Sequence, residues 1–275
     1  MTQTLLACDD SGGSGPLVVL LPGAGDVRSE NRFLVRDLAA AGYRVASADL
    51  PGHGDPLTAA SYGVAETAAA LLALVDRLGG GPAAVVATSF APAAAVWAAA
   101  AHPERISAVV AISPHLEGDG SVKGMLLNAA VSGLLRGPWA GPVWTRLYRS
   151  WYRSGTPADL EGELARIAAM MRDPARRRAV RETLTAHRRG VAGKVERFDR
   201  PALVVFGAAD DHFPDPAAEA ARVASRLGGE VLLVEGAGHY PHAERPDLVG
   251  PAVLAFLAAA TSPPAAPLPR PDASR

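Results

Sequence analysis

Short apolar runs alternate with longer Ala- and Leu-rich stretches along most of the chain, and this alternation restricts the folds it can adopt. Strand candidates are 17–21, 44–48, 83–87, 106–112, 202–206 and 230–234, with a weaker one at 4–8. Helix candidates are 29–41, 62–78, 91–101, 215–227 and 247–260. Runs that are apolar on both faces are typical of a parallel sheet covered by helices. We therefore predict an α/β fold with a doubly wound, mostly parallel sheet.

The alternation stops between residues 115 and 199. This stretch contains no convincing strand, and prolines divide it into short helical segments rich in aromatic residues. We predict that it is a helical cap inserted into a core formed by 1–114 and 200–261. Residues 262–275 are rich in proline and have little to bury, so we predict a disordered tail.

Composition argues against several classes of function. The net charge of −1 gives no indication of nucleic-acid or anionic-membrane binding. The chain shows no signal peptide and no run of about 18 apolar residues, so we expect a cytoplasmic protein without membrane contact. The lone cysteine, Cys8, excludes an internal disulfide, and no His, Cys or carboxylate cluster has metal-ligand spacing. The segment LPGAGD lacks the Lys-Ser/Thr of a phosphate-binding loop, so we expect neither metal nor cofactor.

Ser89 stands where a buried strand runs directly into an Ala-rich helix. Ala87 ends the strand candidate and Ala91 begins the helix candidate. A sharp strand-to-helix turn lifts a serine hydroxyl above the sheet, and the helix N-terminus aims backbone N–H groups at the same place. Such a turn needs small residues two positions before and after the serine, usually glycines and here alanines. Ser61 has a similar local pattern, but it follows a Pro-containing loop and is typical of a helix N-cap.

This segment resembles the nucleophile block of the α/β-hydrolase superfamily, and it continues without a gap into the turn His102-Pro103-Glu104-Arg105. The likeness extends over roughly residues 15–114 and 200–258 and is weak in the predicted cap. It implies the α/β-hydrolase fold, a catalytic triad in the chain order Ser, Asp, His, and an oxyanion hole.

Two later loops are similar to the family's acid and base loops. Asp210 lies three residues after Gly207, and a carboxylate there would fix the histidine tautomer and stabilise the imidazolium. Asp211 is the adjacent alternative and better suited to capping the following turn. His239 lies in a Gly-rich loop after 230–234, where a general base is expected. His242, three residues later, lacks this context.

The resemblance also indicates the oxyanion donors. One is the backbone N–H of the residue after the nucleophile, here Phe90. The other comes from the loop after 17–21, where the N–H of Ala24 should supply it. In the family this loop usually begins His-Gly, and the His braces the loop rather than reacting. Pro22 replaces that His in this chain.

These features predict a serine hydrolase that cleaves a carboxylic ester, thioester or lactone through an acyl-enzyme on Ser89. The fold hosts other chemistries, so a carbon–carbon-cleaving or otherwise non-hydrolytic member is an alternative. A catalytically silent binding module is a third, because the elbow glycines and the loop His are absent. A serine nucleophile argues against the branches of the family that attack with a carboxylate.

The predicted cap should supply the pocket for a small-molecule acyl substrate. Its candidate lining residues are His115, Trp139, Trp144, Tyr148 and Trp151. Residues 121–200 hold 16 Lys and Arg against 7 Asp and Glu, so the segment is basic although the whole chain is nearly neutral. These charges either form solvated helix faces that help dock the cap, or attract an anionic substrate or carrier such as a phosphopantetheine thioester.

Overall fold

A seven-stranded sheet forms the centre of the molecule, for which a computed structural model describes residues 5–54, 59, 61–79, 81–116, 129–186 and 190–261. Its spatial order is β1-β3-β2-β4-β5-β6-β7, with β1 antiparallel to β3 and all other neighbours parallel. The predicted fold class is confirmed. The strands are β1 (Cys8–Asp10), β2 (Leu17–Leu21), β3 (Arg44–Ala48), β4 (Ala83–Thr88), β5 (Ile106–Ile112), β6 (Ala202–Gly207) and β7 (Glu230–Val234).

The first strand differs from its prediction. The apolar run at 4–8 suggested a strand there, but the observed β1 begins at Cys8. Edge pairing with β3 sets its position, and Asp10 forms an ion pair with Arg44 of that strand (2.6 Å). Leu6 is buried in the core without belonging to a strand. The apolar character of this segment therefore indicates that Leu6 is buried, not that the segment forms a strand.

Helices cover both faces of the sheet. The N-cap of α2 is Gly63, so the N-cap expected at Ser61 is wrong. A 3-10 helix, Arg28–Asn31, precedes α1. The described α-helices are α1 (Arg32–Ala40), α2 (Val64–Arg77), α3 (Ala91–Ala101), α4 (Ala140–Ser150), α5 (Leu160–Met170), α6 (Pro174–Leu184), α7 (Val191–Val195), α8 (Pro216–Leu227), α9 (Pro241–Glu244) and α10 (Pro246–Thr261).

Alternate residues of β2, β4, β5 and β6 enter different cores, which explains why these strands are apolar on both faces. Val19 and Leu21 of β2 pack with α2, α3 and α8, whereas Val18 and Leu20 pack with α1 and α10. The carboxyl ends of the parallel strands therefore lie together at one edge of a sheet that helices enclose on both sides. Loops that leave this edge are where a site is expected in such folds.

The segment predicted as a cap contains α4 to α7, between β5 and β6. Trp144, Tyr148 and Ile167 belong to a third apolar cluster in this segment. Val191 and Val195 of α7 instead pack in the main core. The predicted tail, 262–275, lies outside the described residues. Among the described helices, none combines the length and apolarity needed to cross a membrane.

Candidate active site

Ser89 occupies a left-handed turn between β4 and α3. Its φ of +59° is uncommon for a residue with a side chain, and such strain persists only where surrounding contacts impose it. The N–H of Ser89 donates to Ile112 O (2.8 Å), and its carbonyl accepts the N–H of His115 (2.8 Å). Ala87 and Ala91 are fully buried, so a larger side chain at either position would displace packed neighbours.

Asp210 and His239 meet at the same edge of the sheet. Asp210 Oδ2 lies 2.8 Å from His239 Nδ1, and the two residues are 1% and 2% exposed. Burial alone would raise the pKa of Asp210, but the charge of His239 and the hydrogen bonds from His212 and His239 lower it well below its usual range. Burial lowers the pKa of His239, and the ring of His212 lowers it further against the opposing effect of Asp210. The pair is therefore a carboxylate beside a neutral imidazole at neutral pH.

Asp211 points to a different partner. Its carboxylate is half exposed and pairs with Arg153. The turn-capping role expected of Asp211 belongs instead to Asp210, whose Oδ1 accepts the N–H of His212 (3.1 Å). The correction follows from the turn itself, because a carboxylate caps most easily the N–H two residues ahead of it.

His115 links the serine turn to the histidine. Its backbone N–H binds the Ser89 carbonyl, and its ring centroid lies 5.7 Å from that of His239. The ring stacks on Phe213 at 4.6 Å. The structure thus places His115 beside both Ser89 and His239.

The loop after β2 approaches the serine closely at Gly23. A Cβ on this glycine would lie 3.2 Å from Ser89 Cβ and 2.8 Å from Asp26 Oδ2. Ala24 follows Gly23 in a turn closed by a hydrogen bond from the Asp26 N–H to the Gly23 carbonyl (3.2 Å). Phe90 directly follows Ser89, and Ala24 directly follows the glycine that approaches Ser89.

Helix α4 presents aromatic rings to these loops. Trp144 is buried, and its indole N–H donates to Gly25 O in the loop after β2 (3.0 Å). Trp151 accepts the N–H of His239 on its carbonyl (3.0 Å), and its ring lies 6.0 Å from that of His239. Tyr148 is fully buried, and its ring centroid lies 6.1 Å from that of Trp151, which in turn lies 5.4 Å from that of Trp144. Three of the predicted pocket residues thus form one cluster over the base.

Trp139 does not belong to this cluster. Its side chain is 55% exposed and lies over Gly137. Successive residues of an α-helix are about 100° apart, so Trp144 and Tyr148 share a face, whereas Trp139 at the N-cap faces elsewhere. The prediction that Trp139 lines the pocket with the other rings is therefore not supported.

Sequence analysis did not identify His212. Its Nδ1 lies 2.9 Å from Asp210 Oδ1, and its ring centroid is 4.0 Å from that of His239. The acid therefore contacts two imidazoles, one on each carboxylate oxygen. An Asp-x-His pattern in a tight turn is the local signal that could have indicated it.

Asp210, His212 and His239 are also groups of the kind that bind Zn²⁺, and their ligand atoms lie within 4.8 Å of one another. From the sequence we expected no cluster of this kind. The grouping was not predicted because His239 is far from Asp210 along the chain. Each histidine Nδ1 is already engaged by a different oxygen of Asp210. We therefore describe the grouping as one acid hydrogen-bonded to two imidazoles.

Glu244 fastens the base loop to the segment after α4. Its Oε2 accepts the N–H groups of Arg153 (2.8 Å) and Ser154 (2.7 Å), while Oε1 accepts the N–H of Gly238 (2.8 Å). Gly238 directly precedes His239. One carboxylate thus holds His239 and Trp151 in a fixed relation.

Comparison with known families identifies one family whose model matches most of the chain. A model described as "Alpha/beta hydrolase family" matches residues 18–252. The chain therefore belongs to the alpha/beta hydrolase family.

The chain resembles proteins of several named activities. It is 42% identical to Lipase LipV of Mycobacterium tuberculosis, in a match that covers only 28% of this chain and 30% of the lipase. It is 29% identical to the pimeloyl-[acyl-carrier protein] methyl ester esterase of Neisseria meningitidis serogroup B, over 78% of this chain and 84% of that protein. The fold also matches a bromoperoxidase from Bacillus anthracis, with a TM-score of 0.78, 18% identity and coverage of 92% and 95%. The two curated relatives support hydrolase activity in general terms.

Proposed function

We propose that this protein is a serine hydrolase that cleaves a carboxylic ester, thioester or lactone through an acyl-enzyme on Ser89. The observation that carries the proposal is the buried Asp210–His239 pair (2.8 Å) beside the strained turn at Ser89. A nucleophilic serine needs a neighbouring base, and that base needs a group that fixes its tautomer. The resemblance to a methyl ester esterase agrees with this reaction class.

The first half of the reaction forms the acyl-enzyme. Ser89 Oγ attacks the substrate carbonyl carbon, and its proton passes to His239 Nε2, because Nδ1 is held by Asp210. The charge that develops on the carbonyl oxygen is bound by the N–H groups of Ala24 and Phe90. The bond from the acyl carbon to the leaving group then breaks, and the leaving group takes the proton from His239.

The second half returns the enzyme to its starting state. Water attacks the acyl carbon and gives its proton to His239, which then protonates Ser89 Oγ as the acid is released. Asp210 remains ionised and stabilises the imidazolium of both half-reactions, which its lowered pKa favours. His239 must be neutral to accept a proton, and burial lowers its pKa in that direction.

Turnover of p-nitrophenyl esters of increasing acyl length tests this function. The wild-type protein should hydrolyse at least part of the series, and Ser89→Ala should reduce kcat by several orders of magnitude while remaining folded. Ser61→Ala is the matched control, because Ser61 has a similar sequence pattern but lies before α2. Equal activity of wild type and Ser89→Ala would contradict the proposal. A wild-type protein that is folded but inactive on every ester would favour a non-hydrolytic or binding role.

A further inference from the structure

A second group of buried polar side chains lies against the turn that carries Ala24. Its members are Asp26 and Glu30, after β2, and Tyr240 and His242, after β7. The Tyr240 hydroxyl donates to Asp26 Oδ2 (3.1 Å), and His242 Nε2 pairs with Glu30 Oε1. The reaction steps described above use none of these four side chains. Two buried links nevertheless join the oxyanion loop to the loop of the base.

Asp26 contacts the oxyanion turn itself. Its N–H closes the turn on Gly23 O, and a Cβ on Gly23 would lie 2.8 Å from Asp26 Oδ2 and 3.2 Å from Ser89 Cβ. Pro22, which begins the loop, has no N–H and no polar side chain with which to brace it. A shift of Asp26 would therefore move Ala24 relative to the nucleophile.

Tyr240 connects this carboxyl to the base. It directly follows His239, and the two ring centroids lie 5.2 Å apart. The ring also stacks on Tyr152 at 5.4 Å, which fixes its orientation. The Tyr240–Asp26 bond thus joins two catalytic loops that are 214 residues apart along the chain.

The surroundings of the Asp26 carboxyl disfavour its charged form. Burial raises the pKa of Asp26 well above its usual range, and the carboxyl groups of Glu30 and Glu163 raise it further against the effect of the Tyr240 hydrogen bond. The phenols of Tyr148 and Tyr152 also face it. Asp26 Oδ1 is buried with no hydrogen-bond partner in the described part of the chain. A buried carboxyl with so few donors favours the protonated form.

We propose that Asp26 and Tyr240 are positioning residues that hold the oxyanion turn and the base loop in one fixed geometry. The proposal rests on the proposed function, because it assigns the pair an effect on acyl transfer. Misplacing a catalytic group by about 1 Å can reduce a rate about 10²-fold. The effect should fall on kcat, since oxyanion donors act on charge that develops in the transition state.

Three variants test the pair: Asp26→Ala, Asp26→Asn and Tyr240→Phe. We expect Asp26→Ala and Tyr240→Phe to lower kcat by about tenfold or more, with KM changed by less than about threefold. Asp26→Asn should keep kcat within about threefold, because the amide has nearly the same shape as the carboxyl and its oxygen can still accept the hydrogen bond from the Tyr240 hydroxyl. Tyr62→Phe is the matched control, since Tyr62 is a buried tyrosine that packs against Gly52 outside this group.

Hydrogen–deuterium exchange of peptides covering 22–27 and 236–242 provides a readout independent of catalysis. Asp26→Ala and Tyr240→Phe should both speed exchange at 22–27, and Tyr240→Phe at 236–242 as well, whereas Tyr62→Phe should leave both peptides unchanged. Unchanged exchange at 22–27 in both site variants would overturn the proposal, whether or not the protein hydrolyses esters. A lower melting temperature would also overturn the proposal if kcat, expressed per Ser89 that a fluorophosphonate can label, is unchanged. The pair would then have only a structural role. If the two variants exchange faster but the wild-type protein hydrolyses no ester, the result would support the contact and count against the proposed function.

Discussion

Two buried aspartates lie on either side of the His239 loop, and their pKa values are shifted in opposite directions. On one side, Asp210 accepts hydrogen bonds from two imidazoles, and its pKa lies well below its usual range. On the other side, Asp26 has Tyr240 as its side-chain donor and Glu30 as an acidic neighbour, and its pKa lies well above that range. Both residues are at most 1% exposed. Burial raises the pKa of both carboxyl groups, so the opposite net shifts follow from the different groups that surround them.

This difference divides the two residues by role. An ionised carboxylate can stabilise an imidazolium, which is what Asp210 is placed to do beside His239. An uncharged carboxyl cannot, but it can hold loops together through hydrogen bonds. The same substitution, aspartate to asparagine, should therefore have opposite consequences on the two sides.

The largest expected effect is that of Asp210→Asn. The amide removes the charge and reverses the donor pattern toward His239 Nδ1, so kcat should fall by up to about 10⁴. Asp211→Asn is the adjacent control and should cost little, because Asp211 is half exposed and pairs with Arg153. Steady-state kinetics of both variants beside Asp26→Asn would check the contrast. A larger loss in Asp26→Asn than in Asp210→Asn would reverse the assignment of the two sides.

His212→Ala should alter the pH dependence more than the maximal rate. Burial lowers the pKa of His239, and the ring of His212 lowers it further, so removal of His212 should raise that pKa. Activity requires neutral His239, so the acid limb of kcat/KM should move to higher pH. His102→Ala is the control, because His102 is exposed and contacts Glu104. A limb that stays in place would show that His212 does not act on the base electrostatically.

The pH dependence of the free energy of unfolding distinguishes the two aspartates without a measurement of enzyme activity. An acid whose pKa is raised by folding destabilises the protein as pH rises above its unfolded value, near 3.8. Asp26→Asn should therefore be more stable than wild type at pH 8, with less advantage at pH 5. Asp210 has a lowered pKa, so its stabilising contribution is present above the unfolded value and is lost in acid. Urea unfolding at both pH values measures this, and equal stability of Asp26→Asn and wild type at pH 8 would contradict the raised pKa of Asp26.

The sequence predicted the acid side of the site better than the oxyanion side. Asp210 and His239 each follow a parallel strand by a few residues, so local pattern and parallel topology bring them to one edge. The Asp26–Tyr240 contact has no such signal, because it joins distant loops that each look ordinary. The prediction that Trp139 joins the other rings was not supported for a related reason, because the direction of its ring depends on where helix α4 begins. The fold followed from periodicity, whereas buried polar contacts depend on tertiary packing.

The smallest expected effect concerns the basic segment 121–200. Several of its charges are already paired, as in Arg149–Glu161, Arg166–Glu163 and Arg178–Glu182. We propose that the remainder attracts an anionic acyl substrate or carrier, with kcat/KM falling no more than about threefold between low salt and 0.5 M because such fields are strongly screened. A neutral ester with the same acyl chain is the control. Equal salt dependence of the two substrates would show that the charge serves only the helix surfaces.

The proposed reaction requires Ser89 to be the nucleophile, and labelling by a fluorophosphonate tests this requirement most directly. The reagent reacts with a serine that a neighbouring base activates, and it requires no knowledge of the natural substrate. Mass spectrometry of the digested protein should find one modification, on the peptide that contains Ser89, and none in Ser89→Ala. His239→Ala should greatly slow the labelling. A protein that remains unlabelled, or one in which labelling survives Ser89→Ala, would contradict the account.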